Sequence, residues 1–304
     1  MNYNQVYGRI KLFPSCVLKA IRLFYGLHGN IWKLWKRGFG LRKERKSKQI
    51  IFYVDLPLLN TGGFVFGREG TNMKKLQWVF GILLSLSVVV ILLITSFQAA
   101  MYADFGFYQK EYEKYGVLSE LDMNMEDVMY VTHEMMAYLK GDREALEVIT
   151  TVEGKEQDFF NEQDRLHMAD VQALFLGGLK LRVGAFVVLL ICLLALAACR
   201  MDWKYVIPRA FQAAVALTAV AGVLLAFAFS RDFTAAFTKF HEIFFTNDLW
   251  IFDPAQDYMI RMLPEGLFAD MVARIGAIFG VGLAVLLAVS VVWRRKTNIK
   301  KTNE

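Results

Sequence analysis

Residues 76–103, 183–199, 210–230 and 275–293 run for 28, 17, 21 and 19 positions without one charged side chain. A hydrocarbon core about 30 Å thick is crossed by roughly 20 apolar helical residues, and within it every backbone N–H and C=O must be satisfied inside the segment. Four spanning helices meet both demands. The sequence therefore predicts a mainly α, polytopic membrane protein with transmembrane helices over 73–100, 179–200, 209–230 and 271–293. Functional polar groups then belong to the segments that join these helices.

Basic residues set the expected orientation, because Lys and Arg are retained on the cytoplasmic face. Lys74 and Lys75 precede the first span, and Arg200, Lys204 and Arg209 join the second to the third. Arg294, Arg295, Lys296, Lys300 and Lys301 follow the fourth. Residues 101–178 carry six Lys or Arg against seventeen Asp or Glu, and residues 231–274 carry four against seven. These acidic stretches are expected outside. The first, 101–178, is read as a small extracytoplasmic cap leading into a long second helix, and 231–270 as an interfacial segment. Both termini, including the 294–304 tail, are then cytoplasmic.

The net charge of +6 conceals a division. Residues 1–72 hold thirteen Lys or Arg and three acids, a net of +10, which leaves −4 for residues 73–304. This basic extension has no sustained helical or strand period. Met73-Lys74-Lys75 before an apolar run reads as an ordinary start of a bacterial membrane protein. The extension is expected to be disordered or to come from a start codon placed too far upstream, with a basic segment that binds anionic lipid as the alternative. The first span exceeds a signal-peptide h-region of about 7–15 residues and is read as a retained anchor. Cys192 and Cys199 lie seven apart in the second span and read as small buried apolar side chains, not a disulfide or a metal pair.

Within the acidic segment, 108–115 is a short helix candidate ended by Gly116. A second helix is expected over 125–140, with Asn124 as N-cap, Glu126 and Asp127 in its first turn and Gly141 as its stop. Its Val128, Val131, Met135 and Leu139 form an inward stripe, beside which Met129 and Met136 are expected to fill core gaps. Residues 146–152 are a strand candidate. Asn161 then caps a helix with no proline through 162–199, about 57 Å at 1.5 Å per residue. That is several turns more than the membrane needs, and the surplus carries Asp164, His167 and Asp170. In 231–270 the crowd of Phe233, Phe237, Phe240, Phe244, Phe245, Trp250 and Phe252 among polar groups belongs at a membrane–water boundary.

The chain has four histidines, and three of them, His133, His167 and His241, fall in the acidic segments. Histidine both takes and gives a proton near neutrality, so a pair at an interface suits acyl-transfer chemistry. Zinc hydrolysis is disfavoured: neither His133-Glu134 nor His241-Glu242 has the second histidine that the helical zinc motif requires. No Gly-x-Ser-x-Gly elbow and no phosphate loop with a following Lys-Ser or Lys-Thr is present. The nucleophile of an enzyme built this way is expected to come with its substrate.

Lys239-Phe240-His241-Glu242-Ile243-Phe244-Phe245, then Asn247, Asp248, Trp250, Phe252, Asp253 and Pro254, then Leu263-Pro264-Glu265, resembles the lipoprotein intramolecular transacylases. The resemblance covers about residues 73–300 and includes the order of anchor, acidic segment and three further spans. It implies an enzyme acting on bacterial diacylglyceryl lipoproteins, which moves the sn-2 acyl chain to the α-amino group of the N-terminal cysteine and leaves the lyso-form. It also implies two histidines, matched here by His167 in Arg165-Leu166-His167-Met168-Ala169-Asp170 and by His241. His241 is read as general base and His167 as the group that polarises the ester or protonates the leaving oxygen. No acyl-enzyme, cofactor or metal is required when donor and acceptor share one molecule.

Asp170 is expected to orient His167, and Asp248 or Asp253 to orient His241. Phe240, Phe244 and Trp250 are candidates for an acyl groove, and Arg261 for a contact with a phosphate or carboxylate. The expected partners are lipoproteins and membrane lipid, not nucleic acid. A non-enzymatic membrane sensor or assembly protein is the competing reading. Only the enzyme requires the His167 and His241 rings to come within about 10 Å, allowing for looser geometry without substrate.

Overall fold

A computed structural model describes residues 40–46, 49–55, 63–66 and 70–302. Its helices in chain order are α1 Gly70–Tyr102, α2 Gly106–Lys114, α3 Val117–Leu121, α4 Met125–Lys140, α5 Glu162–Ala198, α6 Trp203–Arg231, α7 Phe233–Phe244, α8 Tyr258–Met262 and α9 Glu265–Thr302. The strands are β1 Gly40–Lys46, β2 Gln49–Asp55, β3 Gly63–Phe66, β4 Ile149–Val152 and β5 Lys155–Asp158. Parts of α1, α5, α6 and α9, over Met73–Tyr102, Glu162–Ala198, Trp203–Arg231 and Glu265–Ile299, are long and apolar enough to cross a membrane.

The chain divides into two compact units. One comprises Met1–Val88, Phe186–Ala214 and Ser290–Glu304, the other Val89–Ala185 and Val215–Val289. In the first, Phe80, Leu84, Cys192, Ala195, Leu196, Met201 and Ile207 form a buried cluster. Gly81 faces Val206 so closely that a Cβ there would stand 2.5 Å from its Cγ1. Small residues at such crossings let helix backbones approach where lipid supplies no hydrophobic drive. Cys192 is free and buried, as its sequence context implies. Cys199 is partly buried and packs against the same cluster.

The first unit also holds an antiparallel meander, β1-β2-β3, with Gly40 opposite Asp55 and Ile50 opposite Phe66. No period of two announces it, because β1 is almost wholly charged and β2 almost wholly apolar, and neither alternates. The rest of the basic extension 1–72 lies outside the described residues.

The second unit has a larger core. Tyr108 and Tyr112 of α2, Val117 and Leu121 of α3, and Val128, Val131, Met135, Met136 and Leu139 of α4 pack with Val148, Val152, Phe159, Phe160, Met168, Met259, Met262, Leu267 and Met271. The expected stripe of α4 is therefore its buried face. Its start follows the sequence signal, since the Asp127 N–H donates to Asn124 Oδ1 at 2.9 Å. Its end follows too: Gly141 is left-handed at φ 87°, a conformation that costs a residue without Cβ little. β4 pairs antiparallel with β5 through a turn at Glu153 and Gly154, both at positive φ.

Polar side chains of this unit pair both within and between its elements. The Tyr112 and Thr132 hydroxyls are 2.6 Å apart, and Thr132 Oγ1 donates to the Val128 carbonyl. Lys114 and the Tyr115 hydroxyl both bond Asp270, tying the end of α2 to α9. Beside them Gly266 leaves room for the Tyr115 ring, where a Cβ would stand 2.4 Å from Cε1. Gly266→Ala is expected to lower stability by about 1–3 kcal/mol through overpacking. Thermal unfolding in detergent micelles checks it, and an unchanged melting temperature would contradict the contact.

Candidate active site

His167 lies in the second turn of α5, and the start of that helix is built reciprocally. The Asp164 N–H donates to Asn161 Oδ1 at 2.9 Å, and the Asn161 N–H donates back to Asp164 Oδ2 at 3.0 Å. This arrangement satisfies two backbone donors that a helix N-terminus otherwise leaves open. From there α5 continues without a break for 37 residues, about 55 Å.

His241 lies on α7, a helix capped by Asp232, whose carboxylate accepts the Ala235 N–H at 2.9 Å. The spacing of Phe233, Phe237, Phe240 and Phe244 is helical, with Phe233 stacked on Phe237 and Phe240 tilted against Phe244. One turn before His241, the Phe237 carbonyl accepts a hydrogen bond from Nδ1 at 2.8 Å. A neutral imidazole that donates through Nδ1 keeps its lone pair on Nε2.

The two rings meet. Their centroids are 6.0 Å apart with planes inclined by 26°, and the residues are only 6% and 8% exposed. Phe245 touches both, at 5.1 Å from His167 and 5.5 Å from His241. Phe252 lies 5.3 Å from His167. Trp250 stacks on His241 at 5.0 Å, with Phe237 at 4.4 Å and Phe240 at 5.4 Å completing its surroundings. Burial among these rings pulls the His241 imidazole below its ordinary value, against the opposing pull of the hydrogen bond to Phe237.

The segment after α7 is held over α5 by three side-chain bonds. Gln163 Nε2 donates to the Leu249 and Ile251 carbonyls at 3.2 and 2.9 Å, and Asn247 Nδ2 donates to Asp170 Oδ2 at 2.9 Å. Gln163 and Asp170 stand four residues before and three after His167, on the same face of the helix. That face carries both the imidazole and the grips on the loop that covers it.

Not every expected supporting residue takes its expected part. Asp170 serves the loop through Asn247, and reaches His167 by helical proximity. His241 is oriented by a backbone carbonyl, not by Asp248 or Asp253. The Asp253 carboxylate accepts from the Ala255 N–H and from Gln256, closing a turn, and the Asp248 carbonyl accepts the Ile251 N–H. Arg261 also differs from expectation. It bonds Glu153 at 2.8 Å and the Glu120 carbonyl at 3.0 Å and lies over the Tyr258 ring. A guanidinium paired with an adjacent carboxylate acts here as a clamp between these segments. Phe240, Phe244 and Trp250 cluster with His241, and the first two are 40% and 52% exposed. His133 stacks on Phe105 at 4.1 Å. Sequence reading missed Phe237, Phe245 and Phe252 as neighbours of the imidazoles. For Phe237 a signal existed in its position four residues before His241.

The family model for the lipoprotein intramolecular transacylase Lit matches residues 82–268, more than half of the chain. The chain belongs to this family. Three solved structures of the membrane integral lipoprotein intramolecular transacylase Lit from Bacillus cereus share the fold. The first matches with a TM-score of 0.64 and 19% identity over 74% of this chain and 99% of that one. A histidine-to-alanine mutant matches at 0.61 and 18%, over 74% and 97%. A histidine-to-arginine mutant matches at 0.62 and 19%, over 77% and 100%. No curated protein matches by sequence. As a Lit-family member the protein is a membrane-integral acyltransferase with lipoprotein intramolecular transacylase activity.

In this transacylase His241 is expected to titrate below the ordinary imidazole midpoint of about 6.5, since burial outweighs its bond to Phe237. NMR titration of histidine-labelled protein, with His241→Gln for assignment, measures it. A midpoint at or above 6.5 would contradict the burial.

Proposed function

We propose that the chain moves the sn-2 acyl chain of a diacylglyceryl lipoprotein to the α-amino group of the same N-terminal cysteine, giving the lyso-form, and that His167 and His241 perform the proton transfers. The observation that carries this reading is the close approach of two buried imidazoles, from segments more than seventy residues apart, inside one aromatic enclosure.

The reaction forms one C–N bond and breaks one C–O bond. The amine must lose a proton to attack, the tetrahedral oxygen needs a donor, and the departing glycerol oxygen must gain a proton. His241 suits the first task, because its Nδ1–H is held by the Phe237 carbonyl and its free Nε2 is the basic nitrogen. His167, 6.0 Å away between centroids, polarises the ester and protonates the leaving oxygen. Amine and ester belong to one substrate, so the protein contributes chiefly geometry and excluded water. Phe240 and Phe244, exposed beside His241, line the path of an acyl chain, and Trp250 packs the base in place.

The charge distribution supports an extracytoplasmic site with both termini in the cytoplasm. The segments that carry His167 and His241 are the acidic ones, and residues flanking the other ends of the spans are basic. In this reading residues 101–178 form the cap and 231–270 the interfacial cover of the site.

A reporter lipoprotein expressed with the chain is expected to gain N-acyl, S-monoacylglyceryl cysteine by mass spectrometry. His167→Ala and His241→Ala should each lower product by at least about 10²-fold, the scale of acid–base catalysis. Unmodified diacylglyceryl cysteine beside well-expressed wild type would refute the activity, and full activity in either variant would refute the histidine roles. The sign of the pH dependence follows from His241. Because its neutral form is favoured, activity should persist below pH about 6.5 and fall only on further acidification.

A further inference from the structure

The cap of α5 leaves an atom it does not need. Asp164 is fully buried at 0% exposure, and its Oδ2 accepts the Asn161 N–H. Its second carboxylate oxygen, Oδ1, is buried with no hydrogen-bond partner among the described residues. One turn further on, His167 Nδ1 is in the same condition. The two residues are three apart at the start of α5, a spacing that puts side chains on one helix face, and each has one buried atom unpartnered among the described residues.

Such atoms are costly to bury. A buried acceptor without a donor loses about 1–3 kcal/mol, and an ionised one more. A capping role alone does not explain Oδ1, because Oδ2 and the Asn161 side chain already complete the cap. No cation is committed to Asp164 either. Burial raises its carboxyl to about 7, with the Asp257 charge adding to the rise and the Asn161 N–H and Arg165 opposing it. The Arg165 guanidinium is engaged by Asp158 at 2.8 Å, and Asp257 accepts from Asn161 Nδ2 and from the Asp253 N–H. Beyond His167 the ionisable neighbours are His241 across the enclosure and Asp170, which is held by Asn247. The His167 ring is otherwise faced by Phe245 and Phe252, which offer no donor.

A ligand that satisfies a carboxylate oxygen and a neutral imidazole nitrogen together must bring several N–H donors and a positive charge. We infer that Asp164 Oδ1 and His167 Nδ1 receive the α-ammonium of the substrate's N-terminal cysteine. This rests on the transacylase reading above and gives that site its recognition element for a free amine. It also orders the proton transfers. With Nδ1 accepting from the ammonium, His167 carries its own proton on Nε2. His241 Nε2 takes one ammonium proton, and the amine nitrogen bonds to the acyl carbon. Its second proton passes to His167 Nδ1, which hands it to the glycerol oxygen as that oxygen leaves. Ammonium and ester become amide and alcohol, and His241 releases one proton to solvent. Asp164 is a binding and positioning residue in this scheme, not a proton carrier.

Asp164→Asn tests the inference, because Asn keeps an acceptor for the Asn161 N–H while losing the charge. With the full chain in lipid nanodiscs and a synthetic diacylglyceryl-cysteinyl peptide, the variant should raise KM roughly tenfold between pH about 7, where the Asp164 carboxyl ionises, and the α-amino range, the scale of a lost charge-assisted hydrogen bond. The gap should close as pH passes the α-amino range of about 7.7–8.0, where the substrate is neutral. A deficit that is constant with pH, or no deficit, overturns the proposal. Should the variant fail to fold, wild type answers instead. S-hexadecyl-cysteine methyl ester should bind about tenfold more tightly than its Nα-acetyl derivative between pH about 7 and the α-amino range, and equal affinities overturn the ammonium site. Absence of N-acylated product from wild type would sink the transacylase reading alone, since the binding comparison needs no turnover.

Discussion

An unbroken helix is what the site depends on. In hydrocarbon the backbone has no water to bond, so a spanning segment must remain helical. Nothing in the first turns of α5 gives the chain a reason to stop, and the same rod that is apolar toward Ala198 carries Asp164, His167 and Asp170 near its start. Gly177 and Gly178 lie within it without breaking it. A side chain on such a rod is positioned by helix geometry and by the cap at Asn161, which is more exact than a loop allows.

Around that rod the second unit concentrates its polar bonding where it positions a group or a loop. Gln163 and Asp170 hold the 245–252 segment, Lys114 and Tyr115 hold Asp270, and Arg261 holds Glu153. The exposed pairs among these contribute little stability individually. Their effect is geometric, because each fixes a segment whose apolar side chains then pack. Phe245 and Phe252 reach His167 only because Gln163 and Asn247 set the path of the backbone between α7 and α8.

The aromatic enclosure has an electrostatic consequence. Phe, Trp and His rings lack full charges, so two imidazoles among them are screened weakly and favour their neutral forms. A neutral imidazole is the form that can accept a proton from an amine. The exposed Phe240 and Phe244 lie on the same helix as His241, which in the proposed reaction sets an acyl chain beside the base.

Much of this was legible in the residues. Charge-free windows gave the four spans, the Asn124 and Gly141 signals gave the bounds of α4, and the proline-free run gave the length of α5, because each rests on local backbone chemistry. The helix α7 was not read in the residues, because the aromatic crowding of its phenylalanines reads first as a membrane boundary. The meander β1-β2-β3 was not legible, since its strands do not alternate. Partners of long side chains were hidden for another reason: Arg261 could equally have faced solvent, a phosphate or Glu153, and that choice belongs to residues more than a hundred positions away. Sequence determined which segments must be helical and which residue types were at hand. The tertiary structure alone decided that His167 and His241 face each other and that Asp164 keeps a carboxylate oxygen unused, because contacts between distant segments depend on how the loops pack and not on any periodicity along the chain.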